Sequence, residues 1–144
     1  EGNLRKAIFT TEVLALRDLL GERANLHRLL TMISTNEVQR MIEAALRGQV
    51  VDWRWEKEGY KNVRKLKGAL GIYDDIISQQ SLEAEDVVEQ AHQVLTGGRL
   101  NLPEEQLNAA LGAIADCDVR LRRSSQGRIQ IEQMLHAFAA IRQQ

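Results

Sequence analysis

The strongest constraint on this chain is the spacing of apolar residues between positions 107 and 141. Leu107, Ala110, Leu111, Ile114, Cys117 and Leu121 recur at three and four residues. After a polar stretch over 122–127, Ile131, Met134, Leu135, Phe138 and Ile141 do the same. That period puts one apolar stripe on each of two helices. A turn so short predicts an antiparallel hairpin of helices with the stripes facing each other. Neither stripe can be covered by its partner alone, so earlier helices must close over the pair.

Length and composition narrow the rest. A chain of 144 residues fits one domain and can bury a core without disulfides or metal. Aromatics make up 4% and there is a single proline, while Leu and Ala are plentiful. That balance favours helices over sheet, which draws on Val, Ile, Thr and aromatics. The formal charge of −1 gives no bulk attraction to nucleic acid or membrane. Cys117 has no second cysteine to pair with, which fits an intracellular, reducing compartment. No apolar run approaches the ~20 residues that span a bilayer, and no signal peptide is visible. The first residue is Glu and the chain opens at a helix start. The expectation is a piece of a longer protein, with part of its function outside it.

In chain order, Asn3 suits the N-cap of a first helix that Gly21 stops. A short segment follows with Leu26, Leu29, Leu30 and Ile33 at helical spacing. Ser34–Thr35–Asn36 then caps a helix carrying Val38, Met41, Ile42, Ala45 and Leu46, which Gly48 ends. Residues 49–80 are less orderly. Val63, Leu66, Leu70, Tyr73 and Ile77 suggest a helical stripe, with a break or kink near Gly68 and Gly71. Ser81 is placed to cap a helix with Val87, Val88, Ala91, Val94 and Leu95 inward, terminated by Gly97 and Gly98. Pro103 suits the first position of the next helix. No run reads as a strand.

No complete catalytic or metal motif is present. His27, His92 and His136 stand in no ligand spacing, and no phosphate loop of the GxxxxGK type occurs. Cys117 lies on an apolar stripe and reads as a small core residue. Two basic features stand out. Arg5 and Lys6 sit at a helix start, where an Arg can fork onto phosphate oxygens. Arg54, Lys57, Lys61, Arg64, Lys65 and Lys67 oppose Glu56 and Glu58 over 53–67, six positive charges against two, or +4. Trp53, Trp55 and Tyr60 are interleaved with them. The pattern is a candidate nucleic-acid patch, with cations on phosphates and rings on bases. Its bland counterpart is a solvated helix face anchored by its aromatics. Asp118 shares a stripe with Ile114 and Leu121, and a half-buried carboxylate needs a donor. Arg120, Arg122 and the backbone of 124–128 are candidates, and a structural pair is favoured over catalysis.

These residues resemble a known family. The segment DCDVRLRRSSQGRIQIEQMLHAFAAI (116–141) is similar to the C-terminal end of clamp-loader small subunits, above all the archaeal replication factor C type. The matching positions are Asp118, Arg120, Leu121, Ile129, Gln130, Ile131, Glu132, Leu135 and Ala137. GNLRKAI (2–8) resembles the Gly-Asp-Leu-Arg-Lys-Ala segment of that family's ATPase lid, with Asn3 in place of Asp. NEVQRMIEAALRGQ (36–49) resembles its first collar helix, and SLEAEDVVEQAHQ (81–93) its Leu-Ser-Gly-Glu-Asp-Val helix. The turn at 122–127 lacks the family's Glu-Gly-Ala-Asn, and 49–67 is longer than the family's pattern.

The resemblance implies an all-α helical bundle of about six to seven helices, collar-like, ending in the antiparallel helical hairpin. Residues 1–33 would end an AAA+ lid and 34–144 would form the collar, the oligomerisation domain. Arg5 would be the sensor-two arginine that reaches nucleotide phosphates. Asp118, Arg120, Ile129, Gln130 and Glu132 would serve structure or interface. No catalytic residue, metal or cofactor is expected in this stretch; ATP and Mg belong to the parent ATPase. The implied partners are the large subunit and small-subunit copies. Through the parent complex come the sliding clamp and primer–template DNA in an archaeal cytoplasm, with no membrane. Two rivals remain: a nucleic-acid-binding helical domain resting on 53–67, and a phosphate-handling helical enzyme resting on scattered His and basic residues.

Overall fold

The computed structural model describes the backbone of residues 2–141 and the side chains from Leu20 onward. Five helices and one two-stranded sheet follow in the order α1 (Gly2–Leu46), β1 (Asp52–Glu58), β2 (Lys61–Lys67), α2 (Gly68–Gln80), α3 (Ala84–Thr96), α4 (Glu104–Arg123) and α5 (Gly127–Ile141). The chain divides into two compact units, Glu1–Ile33 and Ser34–Gln144.

The expected six to seven helices are five among the described residues, for two reasons. The breaks at Gly21 and at Ser34–Asn36 do not occur, because α1 runs through both. Gly21 keeps a negative φ, and a glycine ends a helix only when it takes up the left-handed geometry of a C-cap. Asn3 likewise lies inside α1, which has already begun at Gly2. The second reason is that 52–67 forms a hairpin of strands where a helical stripe was expected.

Gly48 does end α1. Its φ is +85, its N–H donates to the Ala45 carbonyl at 2.9 Å, and the Gln49 N–H donates to the Ala44 carbonyl at 2.9 Å. That pair of bonds closes a Schellman motif and occupies carbonyls the helix would otherwise leave open. Ser81 sits at the C-cap of α2 with φ +53, and Glu83 caps α3 instead. The Glu83 side chain accepts from the N3 backbone, and the Glu83 N–H donates to Asp86 Oδ2 at 3.0 Å, a capping box with an acidic residue at each end. Pro103 takes the N-cap of α4, one position earlier than the sequence suggests.

The core of the second unit follows from the apolar spacing. Val38, Met41, Ile42 and Ala45 on the last turns of α1 are fully buried. So are Val87, Ala91 and Val94 of α3 and Ile131, Leu135 and Phe138 of α5. Ile114, Cys117 and Leu121 of α4 join the same cluster, as do Tyr73 and Ile76 of α2. Each large side chain so removed from water contributes about 1.5–3 kcal/mol. α4 and α5 pack on each other, and the Cys117 thiol donates to the Gln130 carbonyl at 3.5 Å.

Candidate interaction surfaces

The hairpin is built from its turn outward. Gly59 and Tyr60 are the two central residues, with Glu58 paired to Lys61. Gly59 has φ +62, the backbone geometry that a type II′ turn places at its first central residue. From there the register runs Glu56 to Val63, Arg54 to Lys65 and Asp52 to Lys67 on one face, and Lys57 to Asn62, Trp55 to Arg64 and Trp53 to Leu66 on the other.

This register sorts the basic run into two populations. On the first face, Lys65 Nζ lies 2.6 Å from Glu58 and 3.4 Å from Glu56. Lys67 Nζ lies 2.8 Å from Glu56, and Arg54 Nε 2.9 Å from Asp52. The Lys67 bond, ahead of other causes, holds the Glu56 carboxyl below its ordinary value, and the Glu58 bond raises the Lys65 ammonium. Lys61 belongs to this face as well. On the second face stand Lys57 and Arg64 with Trp53 and Trp55. The Arg64 guanidinium carbon sits 4.9 Å from the Trp53 ring centroid, a cation–π contact. The six cations therefore do not form one patch. The helix face anchored by its aromatics is corrected too: the element is a ribbon, and its Trp side chains are 50% and 72% exposed.

The base of the hairpin is stitched to the body. The Ala69 N–H donates to the Gln49 carbonyl at 2.7 Å and the Leu70 N–H to the Val50 carbonyl at 3.0 Å. Gly68 makes this approach possible: its φ is +84, and a Cβ there would stand 2.8 Å from the Gln49 oxygen and 2.9 Å from the Val50 oxygen. Gly71 is pressed in the same way against the Leu66 carbonyl.

At the α4–α5 end, the polar residues singled out from sequence make contacts with one another and with their neighbours. Asp118 is nearly half exposed, and its donor is Arg122 one turn on, at 3.2 Å. Arg120 instead reaches across to Gln133 at 2.6 Å. Gln130 is half-buried, Glu132 lies 3.7 Å from His136, and Ile129 and Val119 are 56% and 50% exposed. A pair absent from the sequence reading ties α5 to α2: the Arg128 guanidinium donates twice to Asp74, at 2.9 Å each. Burial pushes the Cys117 thiol up to about 11, which leaves it protonated and poorly nucleophilic near neutrality. Arg5 lies outside the residues whose side chains are described. Among the described residues no group of His, Cys, Asp and Glu is placed to hold a metal ion, and no helix is long and apolar enough to cross a membrane. A groove of about 550 Å³ between α3 and α4 is lined by Val88, His92, Leu111, Ile114 and Asp118, without His136.

The comparison with known families decides what this body is. Residues 33–137, well over half of the chain, match the model of the replication factor C C-terminal domain. The chain belongs to that family. Three curated relatives, each named replication factor C small subunit, agree. The protein of Sulfurisphaera tokodaii is 24% identical over 139 residues, 96% of this chain and 37% of its own length. That of Methanosarcina acetivorans is 26% identical over 151 residues, 99% of this chain and 40% of its own length. That of Methanopyrus kandleri is 25% identical over 141 residues, 98% of this chain and 20% of its own length. The chain thus spans two fifths or less of the length of these relatives. No solved structure matches it at a significant level. In replication factor C terms, the matched region takes in the last turns of α1, the hairpin and α2 to most of α5.

Proposed function

We propose that this chain is the end of an AAA+ lid followed by the collar of a clamp-loader small subunit. In this reading 1–33 closes the lid, with Arg5 as its sensor-two arginine, and 34–144 is the collar. The collar's work is assembly: rigid helical bodies pack side by side and hold the parent's ATPase modules in a pentameric ring. The parent, using ATP and Mg, would open a sliding clamp and place it on primed DNA. The carrying observation is that the family match lies over the helical unit from Ser34, whose helices are locked by a shared core. Val119 and Ile129 offer that unit exposed apolar contacts for a neighbour.

The test is co-elution of this chain with large- and small-subunit partners from its own source, followed by light scattering. The reading expects a complex of higher mass, weakened by Ile129→Asp with unchanged helical circular dichroism. A chain that stays monomeric against every partner sinks the assembly reading. Measurable ATP turnover by the chain alone would sink its non-catalytic part.

A further inference from the structure

The hairpin separates its charges in a way that assembly does not require. All three carboxylates of the strands, Asp52, Glu56 and Glu58, lie on one face, where they are paired with Arg54, Lys65 and Lys67. The opposite face carries Trp53, Trp55, Lys57, Asn62 and Arg64, with Leu66 at its base against the core, and no carboxylate. Among the described residues no acidic group lies within ion-pair distance of Lys57 or Arg64. Trp55 is the more exposed of the two tryptophans, and Tyr60 at the tip stands fully in solvent. Large aromatic rings left in water beside cations with no counter-charge are the two components of a base-stacking, phosphate-binding surface.

We propose that this face of the hairpin is a binding site for single-stranded nucleic acid, with Trp53 and Trp55 stacking on bases and Lys57 and Arg64 meeting phosphates. Charge complementarity selects this occupant. A peptide groove for proline-rich segments needs the rings but has no use for two cations without acidic neighbours. A duplex hides its base faces, so it could use the cations but not the rings. Alternate residues on a strand lie roughly 6.6–6.8 Å apart, about two stacked-base thicknesses, so each tryptophan serves a different base. Arg64, opposite Trp55 in register and stacked over Trp53, holds the first ring in place. The inference is independent of the collar reading, because the hairpin presents the same face whether or not the chain assembles.

The chain has two tryptophans, and both are on this face, so selectively excited tryptophan emission reports on the site. The experiment titrates the 144-residue chain with a short oligothymidylate, an oligouridylate of equal length, a duplex and a proline-rich peptide. The expected result is saturable quenching by one or both single strands. The logarithm of affinity should fall against that of salt with a slope of about −1.4, the value for two phosphates on a single strand. Trp55→Ala should weaken binding between about five-fold and about 140-fold. Trp55→Phe, which keeps a ring, should retain most of the affinity, and Arg54→Ala should leave it unchanged, because Arg54 pairs with Asp52 on the other face. The DNA and RNA arms decide which strand is preferred. No quenching, equal binding of duplex, quenching by the peptide alone, or indifference to Trp55→Ala with helical circular dichroism intact would each overturn the proposal.

Discussion

Replacing Gly68 by Ala tests how the hairpin is held to the bundle. The residue has φ +84, and moving an L-residue into left-handed geometry costs about 1–2 kcal/mol. The new Cβ would also meet the Gln49 oxygen at 2.8 Å and the Val50 oxygen at 2.9 Å, both backbone atoms that cannot swing away. Those two oxygens accept the Ala69 and Leu70 amides, so relieving the overlap lengthens bonds worth about 1 kcal/mol each. The combined loss is about 2–4 kcal/mol. With a urea dependence of about 2 kcal/mol per molar, the midpoint should fall by about 1–2 M. Circular dichroism follows the helices and tryptophan emission follows the hairpin, and a cooperative transition should shift both together. Gly59→Ala is the control: φ is +62, but a Cβ there meets nothing within 4 Å, so its cost is the backbone contribution alone. A Gly68→Ala midpoint within about 0.3 M of the parent, a change of about 0.6 kcal/mol on the same slope, would refute the reasoning.

Other outcomes follow from single sites. Gly112 lies inside α4 with open space around its Cα, so Gly112→Ala should raise stability by about 0.5–1 kcal/mol, read as a higher urea midpoint. Phe138 is fully buried, and Phe138→Ala should cost about 3–5 kcal/mol in the same assay. Cys117 has its thiol raised by burial from 9.0 to about 11, so the folded state holds its proton longer than the unfolded one. That stabilisation is whole below pH 9 and is lost as pH rises through 11, so the midpoint should hold to about pH 8.5 and then decline. Glu56 is lowered by its Lys67 bond, so its stabilisation is present above pH 4.5 and lost as pH falls through the folded value beneath it. Tryptophan emission should therefore hold steady down to about pH 4.5 and change below it, and Glu56→Gln should remove that acid change.

The helices of 84–141 were legible because each buries a single stripe, so period and burial coincide: Val87, Ala91 and Val94, then Ile114, Cys117 and Leu121, then Ile131, Leu135 and Phe138. The stop at Gly48 was legible for the same local reason. The hairpin was not. Strands are recognised by apolar residues alternating with polar ones, and this ribbon packs only Leu66 against the core. Its order comes from Glu56, Glu58, Lys65 and Lys67 pairing across the strands, a pattern that reads in sequence as an undifferentiated charge run. The Gly59–Tyr60 step, a glycine at the first central place between two alternating runs, was the available turn signal. The continuity of α1 was missed because a glycine permits a stop without compelling one. For the site residues, sequence gave Asp118 three possible donors, and the choice of Arg122 rests on a side-chain path that spacing alone leaves open.

A ribbon of two strands has two open edges, and each is a template on which a foreign strand could lie. The alternation of Arg, Lys and Glu along Asp52–Glu58 and Lys61–Lys67 makes that addition costly, because an arriving chain would have to strip water from charges already matched. The same charges discourage slippage, since sliding one strand by a single residue would carry Lys65 and Lys67 away from Glu56 and Glu58. Salt links thus stand in for a buried core as the keeper of alignment, and an aromatic blade can reach into solvent with both of its strand edges guarded by charge.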